Sequence, residues 1–291
     1  MKTLFIVNPV AGRNNSVKIW NDIKPHITYS YDFILTKAPG EATRIAQNAA
    51  RQGFTRVVAV GGDGTVSEVV NGIVRTDTEL GIIPAGSGND TVKTLEIPPN
   101  PIDALAVIKS GYSRKVDIGK YDRGYFINVA GAGFDAETLN TNKNITFLSG
   151  SLAYIASVLW TLIRYSPRKA KVKIDGKIYN RKLWLAVVAN GQYFGGGIKI
   201  SPDARIDDGL FDICLVGEIS RLEIIKFLPK VFSGGHKDHK AFEVIRGKDV
   251  QIEFETATAA QVDGEIIGFT PVTFSILPKA LKVIRNNFTS A

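Results

Sequence analysis

Residues 56–74, RVVAVGGDGTVSEVVNGIV, set the apolar run Val57 to Val60 directly against Gly61, Gly62, Asp63 and Gly64, and these against a second run of different period. Consecutive branched apolar residues suit a strand buried on both faces. Val66, Val69, Val70 and Ile73 then fall at i, i+3, i+4 and i+7, the stripe of an amphipathic helix. One turn glycine would serve such a junction, so three glycines and an aspartate exceed what turning requires. The stretch commits its part of the chain to a strand-helix unit of a parallel sheet.

The same alternation runs through the first 110 residues. TLFIVN, YDFILT, RVVAVG and ELGIIPAG read as strands, YDFILT also allowing an edge position, and GEATRIAQNAARQG and NPIDALAVIKSG as helices. After about residue 115 the period changes to two, with turn residues between runs. KAKVKIDGKIYNRKLWLAVVAN carries the hairpin pair Asp175-Gly176, and DVQIEFETATAAQVDGEIIG repeats the texture near the end. One helix is expected inside this region, over Leu152 to Ile163, either in the core or lining a surface that meets acyl chains. With 44% apolar residues among 291, two cores are affordable. The expected architecture is a three-layer α/β domain with a parallel sheet over residues 1–120 and an antiparallel β-sandwich or barrel over residues 121–291.

Three expected strands of the first domain end alike, in NPVAG, GGDGT and PAGSGND. In an open parallel sheet these loops meet at one edge, where ligands bind. Glycines let backbone N–H groups approach an anion, and each following helix presents a positive N-terminus. Neither a P-loop GK[ST] nor a dinucleotide G-x-G-x-x-G is present. Asp63 in a phosphate cradle calls for a divalent cation between carboxylate and phosphate, and so for a metal–nucleotide complex.

NPVAG, VGGDGTVSEVVNGI and GIIPAGSGND, in this order, resemble the catalytic-domain family of diacylglycerol kinases, sphingosine kinases and soluble bacterial lipid kinases. SPDARIDDGLFDI and VDGE are similar to two later motifs of that family. The resemblance implies that Asn8, Pro9, Val10, Ala11 and Gly12, with Gly62, Asp63, Gly64, Thr65, Val66, Ser67 and Glu68, hold ATP, and that Thr36 and Ser87 add contacts. It also implies that Asp63 sits near the phosphates and a catalytic Mg²⁺, and that Asp208 with the carbonyls of Arg205 and Leu210 binds a structural Mg²⁺. Asp263 and Glu265 would be the carboxylates of the reaction, Glu265 the proton acceptor. The implied activity transfers the ATP γ-phosphoryl group to a lipid alcohol, diacylglycerol foremost, giving phosphatidic acid.

Other readings stay open at this stage. GGDGT is shared with kinases of NAD, and a nucleotide-binding regulator without turnover would carry the same loops. From the residues alone, VDGE is a hairpin turn and RIDDGLFD a turn into a strand. His236 and His239 stand in GGHKDHK without a nearby third ligand, which reads as a solvated loop rather than zinc. The net charge of +8 favours anionic partners, but no stacking or helix-turn-helix motif supports nucleic acid. Arg164, Arg168, Lys169, Lys171 and Lys173 suggest a basic face resting on anionic headgroups. The single cysteine, Cys214, in FDICLV is expected to be buried, in keeping with a reducing cytoplasm. The expected place of work is the cytoplasmic side of the inner membrane, with a lipid substrate; a homodimer remains an option. The terminal NNFTSA is expected to pack back on the first domain.

Overall fold

The structure is a computed structural model that describes residues 2–142 and 151–286. Two compact units emerge, one from residues up to Ile118 with those from Leu277 onward, the other from Gly119 to Ile276. Residues 287–291, most of NNFTSA, lie outside the described residues.

In the first unit, β1 (Thr3–Val7), β2 (Tyr31–Leu35), β3 (Arg56–Gly61) and β4 (Glu79–Pro84) are parallel in the order β2-β1-β3-β4. Helices α1 (Ala11–Asn14, one broken turn), α2 (Ser16–Ile23), α3 (Glu41–Arg51), α4 (Asp63–Ile73), α5 (Asp90–Thr94) and α6 (Pro101–Ser110) connect and cover them. β1 and β3 are buried along their whole length, as continuous apolar runs require. β2 is the edge strand, with Phe33, Ile34 and Leu35 exposed. The valine stripe of α4 is buried, and α3 packs so closely on it that a Cβ at Gly72 would come within 2.6 Å of Ala46 Cβ. β5 (Ser113–Tyr121) follows α6.

The second unit is a sandwich. Its elements are β6 (Gly124–Phe126), β7 (Val129–Gly133), α7 (Phe134–Asn142), α8 (Ser151–Arg164), β8 (Arg168–Ile174), β9 (Lys177–Leu183), β10 (Leu185–Ala189), β11 (Phe211–Val216), α9 (Arg221–Ser233), β12 (Phe242–Gly247), β13 (Asp249–Phe254), β14 (Ala259–Val262), β15 (Glu265–Phe269) and β16 (Val272–Ile284). One sheet runs β12-β11-β10-β7-β14-β15, and the facing layer is built on β13, β8 and β9 with the first residues of β16. Residues 282 and 283 of β16 belong to the first unit and lie parallel beside β4. Phe126, Phe211, Phe274 and Ile252 fill the space between the layers and are fully buried. Asp175 and Gly176, both at positive φ, make the β8–β9 hairpin. The helix expected over Leu152 to Ile163 is α8; the side chains of residues 152–156 lie outside the described residues.

Helix α9 is an element that the period-two texture of this region does not announce. Its signals are nonetheless local: Ser220 and Glu223 form a capping box and Gly234 closes the far end at φ 78°. The solvated loop expected at His236 and His239 is a packed one. His236 is buried against Phe242 with Nε2 3.1 Å from the Ile200 carbonyl, and the His239 ring lies 4.4 Å from Phe227. Phe227 of α9 meets the His239 ring, whereas Phe242 of β12 and the Ile200 carbonyl hold His236. Cys214 is buried, and burial pushes its thiol up to about 12.

The basic face expected along Arg168 to Lys173 is the solvent face of β8. Lys169, Lys171 and Lys173 alternate outward, and β13 sets Glu253 opposite Lys171 while Glu255 lies 3.9 Å from Lys169. Arg168 stacks on Tyr165 and donates to Thr258. Cross-strand glutamates thus offset much of this charge.

Candidate active site

Three loops meet at the C-terminal edge of the parallel sheet. Asn8 Nδ2 donates to Thr65 Oγ1 at 2.9 Å, while its Oδ1 accepts from Val10 N–H, tying NPVAG to GGDGT. A Cβ on Gly12 would stand 2.1 Å from the Ala85 carbonyl oxygen, and one on Gly86 would stand 2.4 Å from Gly62 Cα. Gly12 also has φ +57°. These glycines are therefore required by the contact between loops, a demand the isolated motif does not reveal. Ala85 N–H donates to the Gly61 carbonyl at 2.9 Å and closes the same junction.

Asp63 begins α4, and its carboxylate accepts from the N–H groups of Asp90 at 3.2 Å and Thr91 at 2.9 Å. It thereby fastens PAGSGND to GGDGT. Asn89, at φ +51°, folds that loop by bonding Gly86 through both ends of its amide, and Lys93 pairs with Asp90 at 3.0 Å. Glu68 serves α3: its carboxylate accepts from the Gly40 and Ala42 N–H groups that open that helix after β2. Thr36 is buried beside Val7, Thr65 and Val66 are buried, Ser67 is half-buried, and Gly64, Ser87 and Val10 are exposed. Pro9 and Ala11 are half-buried in the first loop. Gly62 precedes α4 without a side-chain cap, which turns the positive end of an eleven-residue helix toward this edge.

In the second unit the VDGE motif is the β14–β15 turn. Asp263 (φ 46°) and Gly264 (φ 86°) reverse the chain, which puts Asp263 in the turn itself and Glu265 at the first position of β15. Asp263 accepts from the N–H groups of Ile127, Asn128 and Val129, each at 3.0 Å. Three charge-assisted bonds make it the anchor of the turn. Glu265 opens β15 and is exposed. Its charge and that of Asp263 reach Tyr121, whose hydroxyl is pushed up first by burial, with Arg123 opposing.

Gln261 links this turn to a cavity. Its Oε1 accepts from Gly264 N–H at 3.0 Å and its Nε2 donates to Asp135 Oδ2 at 3.1 Å. Asp135 belongs to the wall of a cavity of about 140 Å³ lined by Phe134, Trp184, Ile198, Phe227, Leu228 and Val231 among others. That volume is close to apolar cavities that accept a benzene-sized guest. Asp135 is buried with Oδ1 unpartnered, and desolvation pushes its carboxyl up to about 6.

Residues 2–121 match the diacylglycerol kinase catalytic domain, and residues 128–285 match the YegS C-terminal NAD kinase beta sandwich-like domain. The chain is 30% identical over 287 residues to a diacylglycerol kinase of Bacillus subtilis, covering 96% of this chain and 95% of that one. It belongs to the diacylglycerol kinase family. A diacylglycerol kinase of Staphylococcus aureus is also 30% identical, with 97% and 92% covered. The crystal structure of a diacylglycerol kinase from Bacillus anthracis superposes with a TM-score of 0.77 at 26% identity, covering 98% of this chain and 97% of that one.

In this kinase, the fit to magnesium differs between the two implied places. Asp63 and Asp90 stand together at the loop junction; neutral backbone N–H donors take one lone pair on each Asp63 oxygen and leave the others for an Mg²⁺ that arrives on phosphates and needs only one or two protein carboxylates. The residues there fit. At the other place, Asp208 accepts from Leu210 N–H at 3.1 Å and also pairs with the Arg246 guanidinium, so a positive group already stands where the cation would sit. As arranged, those residues do not fit a resident cation.

Asp135 and Gln261 belong to none of the sequence motifs. Both are single polar residues in apolar runs, and only the pairing of β14 with β7 brings Gln261 beside the strand that leads into Asp135. The buried polar residue in AAQV is the one signal that points to them.

Proposed function

We propose that this kinase transfers the γ-phosphoryl group of MgATP to the hydroxyl of a lipid alcohol, with diacylglycerol as the preferred acceptor and phosphatidic acid as product. The observation that carries this reading is the hydrogen-bond chain Asp135–Gln261–Gly264, which joins an apolar cavity to the turn bearing Glu265. A dinucleotide acceptor would call for polar lining; this cavity offers aromatic and aliphatic walls.

The three glycine loops cradle the triphosphate through backbone N–H groups, and Asp63 holds two of these loops in register. Asp63 and Asp90 would hold a nucleotide-borne Mg²⁺, which would offset the phosphate charge. Glu265 takes the hydroxyl proton as the acceptor oxygen bonds to the γ-phosphorus. The bond from that phosphorus to the β-phosphate bridging oxygen breaks, and ADP leaves with the electron pair. Asp263 acts on this step by fixing the turn from which Glu265 projects.

The membrane-facing surface in this reading is the outer side of α8 and α9 rather than β8. No described helix is long and apolar enough to cross a membrane. Trp160 is 50% exposed, Ile163 71% and Leu222 73%, and Arg221 bonds the Leu162 and Tyr165 carbonyls to hold α9 beside the end of α8. Arg164 lies 4.5 Å over the Trp160 ring, a pairing suited to the headgroup layer. This supports peripheral work at a membrane surface, taken here as the cytoplasmic face of the inner membrane. Incubation with radiolabelled ATP, a lipid panel in mixed micelles and NAD, followed by organic extraction, tests the function. Label in diacylglycerol supports it; label on NAD, or none despite ATP binding, overturns it.

A further inference from the structure

We infer that Arg246 is the internal cation of the 201–212 loop, standing where the family resemblance puts a structural Mg²⁺, and that the loop folds without divalent metal. Its guanidinium reaches two carboxylates at once. One is Asp208, whose other oxygen accepts from Leu210 N–H at 3.1 Å. The second is Asp212, which accepts from Arg246 Nε at 3.1 Å and from Ser201 Oγ at 2.8 Å.

Backbone register places the guanidinium there. Asp212 on β11 and Arg246 on β12 are direct partners across the antiparallel ladder, and the Asp212 side chain is buried. Arg246 therefore follows from strand pairing and not from a chance surface rotamer. A planar guanidinium with several donors can serve two carboxylates together, whereas Mg²⁺ demands an octahedral oxygen shell and retains its waters. A divalent ion at Asp208 would have to displace a positive group already bonded to the same carboxylate. A magnesium requirement of catalysis would then report the nucleotide-borne ion alone.

Thermal unfolding of the full chain in excess EDTA and in saturating MgCl₂, without nucleotide or lipid, tests this. A resident ion at a hundredfold over its Kd would raise Tm by about 5–10 °C. The expected result is one Tm for the wild type in both buffers, with Arg246→Met lowered in EDTA and partly restored by MgCl₂. A wild-type rise of that size that Asp208→Asn removes would overturn the inference, as would an Arg246→Met variant indistinguishable from wild type. Should Arg246→Met not fold, the wild-type comparison still decides, and Arg246→Lys, which keeps charge but loses the fork, is expected to be destabilised. Because neither substrate is present, failure here leaves the kinase reading untouched.

Discussion

Replacing Asp135 by Asn should flatten the dependence of stability on pH. The Asp135 side chain is 4% exposed, has one oxygen without a partner, and is held above its ordinary 3.8 at about 6, chiefly by desolvation and against the bond from Gln261. Below pH 3.8 the carboxyl is protonated in both folded and unfolded chains. As pH rises from there, the unfolded chain releases the proton while the folded chain keeps it, so stability falls until about pH 6 and is level beyond. The gap between 3.8 and about 6, at about 1.36 kcal/mol per pK unit, amounts to about 3 kcal/mol. Asn cannot ionise, and its side-chain oxygen can still accept from Gln261. Urea unfolding at pH 4 and pH 7.5, followed by tryptophan emission with Trp184 in the cavity wall, measures the difference. Relative to wild type, Asp135→Asn should gain about 2.4 kcal/mol between the two pH values, because at pH 4 the unfolded carboxyl is already more than half ionised. Parallel behaviour of the two proteins would mean that Asp135 ionises freely in the fold and would refute the argument.

Other perturbations separate chemistry from scaffolding. Glu265→Gln should lower phosphoryl transfer by about 10²- to 10⁴-fold with an unchanged melting curve, since Glu265 is exposed; near wild-type turnover would remove it as proton acceptor. Asp263→Ala should cost about 3–5 kcal/mol, because three backbone N–H groups lose a charged acceptor, and calorimetry would detect it. Gly86→Ala should weaken ATP binding in equilibrium titrations, because the new methyl would drive the Gly62 backbone away. Trp160→Glu with Ile163→Glu should reduce flotation with anionic vesicles at low salt, whereas Lys171→Gln should change it little.

Periodicity is a local property, and what depends on it is legible in the chain of residues alone. The valine stripe after GGDGT, the continuous runs of β1 and β3, and the Asp175-Gly176 hairpin follow from backbone geometry and from which residues water rejects. The recurrence of glycine at three strand ends likewise places a phosphate-type site on one edge, because parallel strands share a C-terminal side. The two capping residues of α9, Ser220 and Glu223, are equally local signals, although the strand-like runs on either side of them mask the helix they begin.

Side-chain partners distant in sequence are a different matter. Asp63, Asp263 and Glu68 read alike as acidic residues in motifs, yet the fold gives each to particular N–H groups, at positions 90 and 91, 127 to 129, and 40 and 42. A carboxylate is defined by which donors reach it, and those donors lie 26 to 136 residues away. Arg246 beside Asp212, and Gln261 between a turn and a cavity, come from strand register. By itself the sequence determined most of the strands, the α3, α4, α6 and α8 helices and the chemical character of the loops; tertiary structure alone decided which charges are neutralised, because that depends on through-space contact.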